Sequence, residues 1–160
     1  MAGMLSVLMA DAQWTLNYTT SVAQQIKVLS APDDNVCWFI SNRDSLFKTA
    51  DGGATWSVLG PSSVSFNPSG LYVMNDMIAF KTANAYMFKT IDGGVTWNQV
   101  FTGSYQQPPD IAMKDMQNGI MTYGGNVYQT IDGGDTWSMT GITQPAYHPV
   151  NSVGKGVVQL

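Results

Sequence analysis

Thr130-Ile131-Asp132-Gly133-Gly134-Asp135-Thr136-Trp137 is the stretch on which the reading of the whole chain turns. Two near-copies precede it, Thr90-Ile91-Asp92-Gly93-Gly94-Val95-Thr96-Trp97 and Thr49-Ala50-Asp51-Gly52-Gly53-Ala54-Thr55-Trp56, and the three aspartates lie 41 and 40 residues apart. A period of about 40 residues in a chain rich in β-formers predicts one small antiparallel sheet repeated as a propeller blade. Each copy lies between two short runs, as Leu46-Phe47-Lys48 and Ser57-Val58-Leu59 flank the first. Asp-Gly-Gly between such runs reads as a hairpin, because glycine takes positive φ at no steric cost. The carboxylate can accept N–H groups of its own turn. The Trp opens the outgoing strand and is expected to lie flat between adjacent sheets, where its ring removes much apolar surface from water.

Thr-x-Asp-Gly-Gly-x-Thr-Trp resembles the Asp-box, or bacterial neuraminidase repeat, of β-propeller proteins such as sialidases, xyloglucanases, sortilin-type receptors and a photosystem II assembly factor. The resemblance spans roughly residues 26–140. It implies that the box is a structural turn on the face away from the usual active site. Thr49, Asp51, Gly53, Thr55 and Trp56 are then scaffold, as are Thr90, Asp92, Gly94, Thr96 and Trp97, and Thr130, Asp132, Gly134, Thr136 and Trp137.

Composition agrees with an all-β chain. The 160 residues are enough for one domain with a core. Charged residues are 11%, against a usual figure of about 25%, and no glutamate is present, so the surfaces of long amphipathic helices cannot be furnished. Net charge is −4, with Arg43 the single arginine, which excludes the clustered cations of a nucleic-acid site or a polybasic membrane patch. Cys37 is alone, so no intrachain disulfide forms, and its place in Val36-Cys37-Trp38-Phe39-Ile40 reads as a small buried hydrophobe.

Along the chain, residues 1–12 carry two readings. Met4–Met9 followed by Ala10-Asp11-Ala12 looks like the end of a secretory signal, shortened and without a basic start; equally, 4–9 and 13–18 read as two strands that put Trp14 where the box tryptophans stand. The propeller itself covers 13–160, with repeats at about 26–60, 66–101 and 109–140 and a partial one at 146–160. Strands A to D are expected in each, the box joining C to D. Strand A is assigned to Ile26–Ser30, Leu71–Met74 and Ile111–Met113, and strand B to Val36–Ile40, Met77–Phe80 and Gly119–Thr122. Asp33-Asp34-Asn35, Asn75-Asp76 and Gln117-Asn118 supply turn chemistry between them. The partial repeat has Val150–Val153 as strand A and Gly156–Leu160 as strand B. Architectures consistent with this are about four blades, closed with the N-terminal strands, the first part of a larger propeller, or a ring completed by a second copy.

Catalytic chemistry is sparse. His148 is the single histidine, which excludes a multi-histidine metal centre, and no nucleophile motif or phosphate loop is present. No cofactor or metal is expected. Sialidases hold their substrate with three arginines and use a tyrosine supported by Glu, a set this chain lacks. Xyloglucanase-like hydrolysis needs two carboxyl groups across a cleft, and the non-box aspartates Asp44, Asp110 and Asp115 sit in no recognisable catalytic context. The arginine-rich partner surface of the photosystem factor is missing as well. There remains the face opposite the boxes, formed by B–C loops (41–45, 81–85, 123–126) and D–A loops (60–70, 102–110, 141–149) that differ among repeats. Arg43, Asp44, Tyr105, Tyr123, Tyr147 and His148 are its candidate ligand contacts. The expected function is a non-catalytic module, secreted, periplasmic or cell-surface, that binds a protein, peptide or glycan. The alternative is a fragment of a glycoside hydrolase whose carboxylates lie partly beyond residue 160.

Overall fold

A computed structural model describes residues 25–60, 68–105 and 107–143. They form three antiparallel four-stranded sheets whose strand order follows the chain. The first blade holds β1 (Ile26–Ser30), β2 (Cys37–Ser41), β3 (Leu46–Thr49) and β4 (Ser57–Leu59). The second holds β5 (Gly70–Val73), β6 (Ala79–Ala83), β7 (Tyr86–Thr90) and β8 (Asn98–Thr102). The third holds β9 (Asp110–Met113), β10 (Gly119–Tyr123), β11 (Asn126–Thr130) and β12 (Ser138–Thr143). This is the all-β, repeated-blade architecture that the boxes predict. No helix among the described residues is long and apolar enough to cross a membrane. Residues 1–12, the partial repeat at 146–160, Tyr147 and His148 lie outside the described residues.

Strand limits differ from expectation for a local reason. The Asn75 side chain accepts N–H bonds from Met77 and Ile78, at 2.9 and 2.8 Å, so those residues close the turn and β6 starts at Ala79 rather than Met77. Asp33 does the same for Asn35 and Val36, and β2 starts at Cys37. Asp115 does it for Gln117 and Asn118. One Asx turn thus recurs at one place in each blade. The expected loop 81–85 is a correction: Lys81, Thr82 and Ala83 belong to β6 and are buried, leaving Asn84 (φ 52°) and Ala85 as the turn. The box tryptophans stand one residue before their outgoing strands.

Alternation gives every blade a leading and a trailing face. Facing the preceding position are the cross-strand pairs Phe39–Phe47, Lys81–Phe88 and Met121–Tyr128. Blade two's Leu71, Val73, Ala79 and Trp97 cover blade one's Trp38, Ile40 and Leu46. Blade three's Ile111, Met113, Met121, Tyr128 and Trp137 cover blade two's Tyr72, Phe80 and Met87. Each such large side chain, fully buried, contributes about 1.5–3 kcal/mol. The inner strands β1, β5 and β9 come together. Ser30 Oγ accepts the Val73 N–H at 3.0 Å, and Tyr72 Oη accepts the Met113 N–H at 3.2 Å.

Two box glycines have no substitute. Gly94 (φ 92°) lies so close to Leu46 and Trp38 of blade one that a Cβ would collide with Leu46 Cδ2. Gly134 (φ 85°) meets the Phe80 ring of blade two in the same way. Positive φ and direct contact with the preceding blade both demand a residue without a side chain.

Candidate functional site

The three aspartates that repeat most strictly hold their own turns. In the first box Thr49 Oγ1 donates to Asp51 Oδ1 at 2.7 Å, Asp51 Oδ1 accepts Thr55 N–H at 2.9 Å, and Thr55 Oγ1 donates to Oδ2 at 2.5 Å. Gly53 N–H donates to Thr49 Oγ1 and the Trp56 indole N–H to Gly53 O. The same bonds recur around Asp92 and around Asp132. Bonds from the second Thr's hydroxyl and N–H, aided by the first Thr, hold the Asp51 and Asp92 carboxyls down at about 2 and push Asp132 lower still. A carboxylate so saturated with donors is a poor general acid or base near neutrality.

This has a pH consequence with a definite sign. The folded-state values are depressed, so the stabilisation is complete above the unfolded value of about 3.8 and is lost as the pH falls towards 2. Asp92→Asn is therefore expected to lower the melting temperature more at pH 7 than at pH 2, read by circular dichroism. Equal losses at both values would deny the ionised carboxylate its part in the turn.

The candidate ligand contacts fall in different places. Arg43 and Tyr105 are exposed. Asp44 (φ 59°) and Tyr123 are inside the fold, 7% and 5% exposed, and so do not stand on a contact surface of the described residues. Tyr123 Oη accepts the Tyr105 N–H and donates to Tyr105 O at 3.0 Å, stitching the D–A loop to the third blade. Asp44 faces Lys81 across the interface of blades one and two. Burial pushes the Lys81 ammonium down and Asp44 opposes that shift. The ammonium also lies 4.7 Å from the Trp97 ring centroid. Cys37 is half-buried rather than buried as expected, and burial pushes its thiol up.

One sizeable concavity of the described residues lies away from the loop face. A cleft of about 480 Å³ opens where the inner strands converge at their A–B turns, lined by Pro32, Tyr72, Met74, Met113, Lys114 and Met116 among others. Sequence reasoning missed it because its residues come from three repeats, and methionines in unrelated positions carry no motif. Asp115 also lines it, yet its carboxylate accepts the Gln117 and Asn118 N–H groups and is held below its usual range by them. Among the described residues no three His, Cys, Asp or Glu side chains group to hold a metal.

A family model described as Photosynthesis system II assembly factor YCF48 matches residues 8–151. The fold is similar to the structure titled "YCF48 bound to D1 peptide", at 21% identity and TM-score 0.57, covering 74% of this chain and 41% of that one. It is also similar to YCF48 from Cyanidioschyzon merolae, at 18% identity and TM-score 0.57, covering 76% of this chain and 38% of that one. A Niastella koreensis GH74 enzyme matches at 16% identity and TM-score 0.53, over 71% of this chain and 22% of the enzyme. The chain thus spans about two fifths of the YCF48 propellers it matches. No curated protein matches.

Proposed function

The chain belongs to the Photosynthesis system II assembly factor YCF48 family, and from that premise we propose that it is a non-catalytic propeller module that holds an extended segment of another protein. The observation that carries the reading is the inner cleft. Its apolar lining of Tyr72, Met74, Met113 and Met116 is mouldable, since unbranched thioethers adapt to many side chains, and Lys114 adds a cation at the rim. A structure of this fold carrying a D1 peptide supports the choice of a peptide over a glycan. The hydrolase alternative needs two free carboxylates facing one another. Among the described residues that line this cleft the acidic one is Asp115, and it caps its own turn.

Isothermal titration with the D1 peptide and with a pool of extended apolar peptides tests the proposal. Saturable binding is expected, and Met116→Asp should weaken it by about tenfold or more, ~1.4 kcal/mol. Met116 is 46% exposed, so the melting temperature should hold. Absence of saturable binding by any of these peptides, or binding indifferent to Met116→Asp, would remove the cleft as the site.

A further inference from the structure

One cross-strand pair changes character from blade to blade. In the first blade Val28 stands opposite Ile40, and both pack into the seam with the second blade, Ile40 at 2% exposure. The same pair in the second blade is Gly70 opposite Thr82, and in the third it is Asp110 opposite Thr122. One seam further on, two branched apolar side chains are thus exchanged for a hydrogen and a hydroxyl. A hollow of about 100 Å³ opens there, between the trailing face of blade two and β9, at the end of the seam nearest the D–A loops. Leu71, Phe80, Pro109 and Ile111 give it apolar walls, and Thr82 and Asp110 also line it. Thr82 is 3% exposed, and its hydroxyl has no hydrogen-bond partner among the described residues. A Cβ on Gly70 would stand 2.5 Å from that hydroxyl oxygen, so the glycine is what gives it room at the wall. Asp110 is exposed. Lys81, next to Thr82 in β6, points by alternation to the other seam, where it meets Trp97.

We propose that this hollow is a binding subsite for a primary ammonium on a short alkyl stem, the chemistry found at the end of a lysine side chain. A buried hydroxyl without a partner costs stability, whereas the isoleucine at the same place one blade earlier does not. An occupant that donates a hydrogen bond to Thr82 Oγ1 removes that cost. The Asp110 carboxylate sets the sign of the charge, since it attracts a cation and repels an anion. One carboxylate and one hydroxyl are too few oxygens for calcium or magnesium, and among the described residues no three His, Cys, Asp or Glu side chains group to hold a metal. An alkylammonium suits both halves of the lining. Its methylenes lie against Leu71, Pro109 and Ile111, and its N–H groups have Thr82 Oγ1 and the carboxylate as acceptors. The volume is that of about three water molecules, which fits the head and a few methylenes but no larger group. Tyr72 lines both this hollow and the inner cleft, yet the subsite stands whether or not the cleft holds a peptide.

Methyl NMR of the full chain, read at Ile111 in the wall of the hollow, tests this. n-Butylamine at pH 7, where it is charged, should shift the Ile111 signal saturably, and neutral n-butanol should bind about tenfold more weakly or worse. Thr82→Val keeps the side-chain shape and removes the hydroxyl, so the melting temperature should hold while amine affinity falls by about tenfold. Asp110→Asn, at an exposed position, should weaken the amine to a similar degree and also keep the fold. Met116→Asp, in the inner cleft, should leave amine affinity unchanged, which separates this subsite from the peptide reading of that cleft. An alanine pentapeptide with one central lysine is run beside the free amine. Tighter binding of the peptide assigns the hollow to a lysine of a partner protein, and tighter binding of the amine assigns it to a small molecule. No saturable shift at Ile111, equal affinity for n-butanol, or full affinity in Thr82→Val overturns the proposal and leaves the hydroxyl to water.

Discussion

Trp97→Ala is expected to lower the unfolding free energy by about 3–5 kcal/mol, the usual cost of truncating a large aromatic in a core. Its indole fills the seam between blades one and two, against the cluster of Trp38, Ile40, Leu46, Val73 and Ala79. Three contacts go with the ring: the packing itself, the 3.1 Å bond from the indole N–H to Gly94 O, and the Lys81 ammonium over its face. Loss of the indole also leaves Lys81 buried with one partner fewer. Chemical denaturation should show the drop as a shift in midpoint. A loss below about 1 kcal/mol, the range of surface substitutions, would mean the tryptophans do not join the blades, and the account of the repeat would fail with them.

Much of this was legible in the sequence because the box is locally self-sufficient. Thr, Asp, the glycine pair, Thr and Trp make most of their bonds within these eight residues, so eight letters of sequence specify the turn. Two A–B turns were legible for the same reason, since Asp33 and Asn75 bond two or three residues ahead, while in the third the reading fell on Gln117-Asn118 and the acceptor is Asp115. What escaped was most of what is made between repeats, the box tryptophans excepted. Lys81 reads as a loop cation by charge alone, yet β6 carries it into the interior, where Phe39 and Met121 hold the equivalent positions of the other blades. The inner cleft is likewise a product of stacking. Arg43 as the single arginine argues against the partner surface of the photosystem factor, while the family model matches residues 8–151. The residues that build the turns repeat, and those that line the cleft do not.

The buried charges between blades one and two give the second large effect. Asp44→Asn keeps the side-chain shape and a residue type that tolerates φ near 59°, but it strips Lys81 of the carboxylate that opposes its desolvation. Removing that carboxylate costs stability, because the desolvation of the Lys81 ammonium is then less opposed. The pH dependence has a fixed sign. Lys81 is already depressed from 10.5 in the fold, and without Asp44 it falls further. The unfolded chain then binds more protons than the folded one between that lowered value and 10.5, so the stability of the variant rises with pH across the window. Its deficit against wild type should therefore be smaller at pH 9.5 than at pH 7. Adding Lys81→Met, the residue that blade three uses at this position, should recover part of the loss, since it removes the buried ammonium whose desolvation the first substitution leaves less opposed. A double-mutant cycle by urea denaturation reads all of this. If Asp44→Asn is silent at pH 7, or if Lys81→Met fails to rescue it, the two side chains are not energetically coupled, and the register of blade two on blade one rests on Trp97 and its apolar neighbours alone.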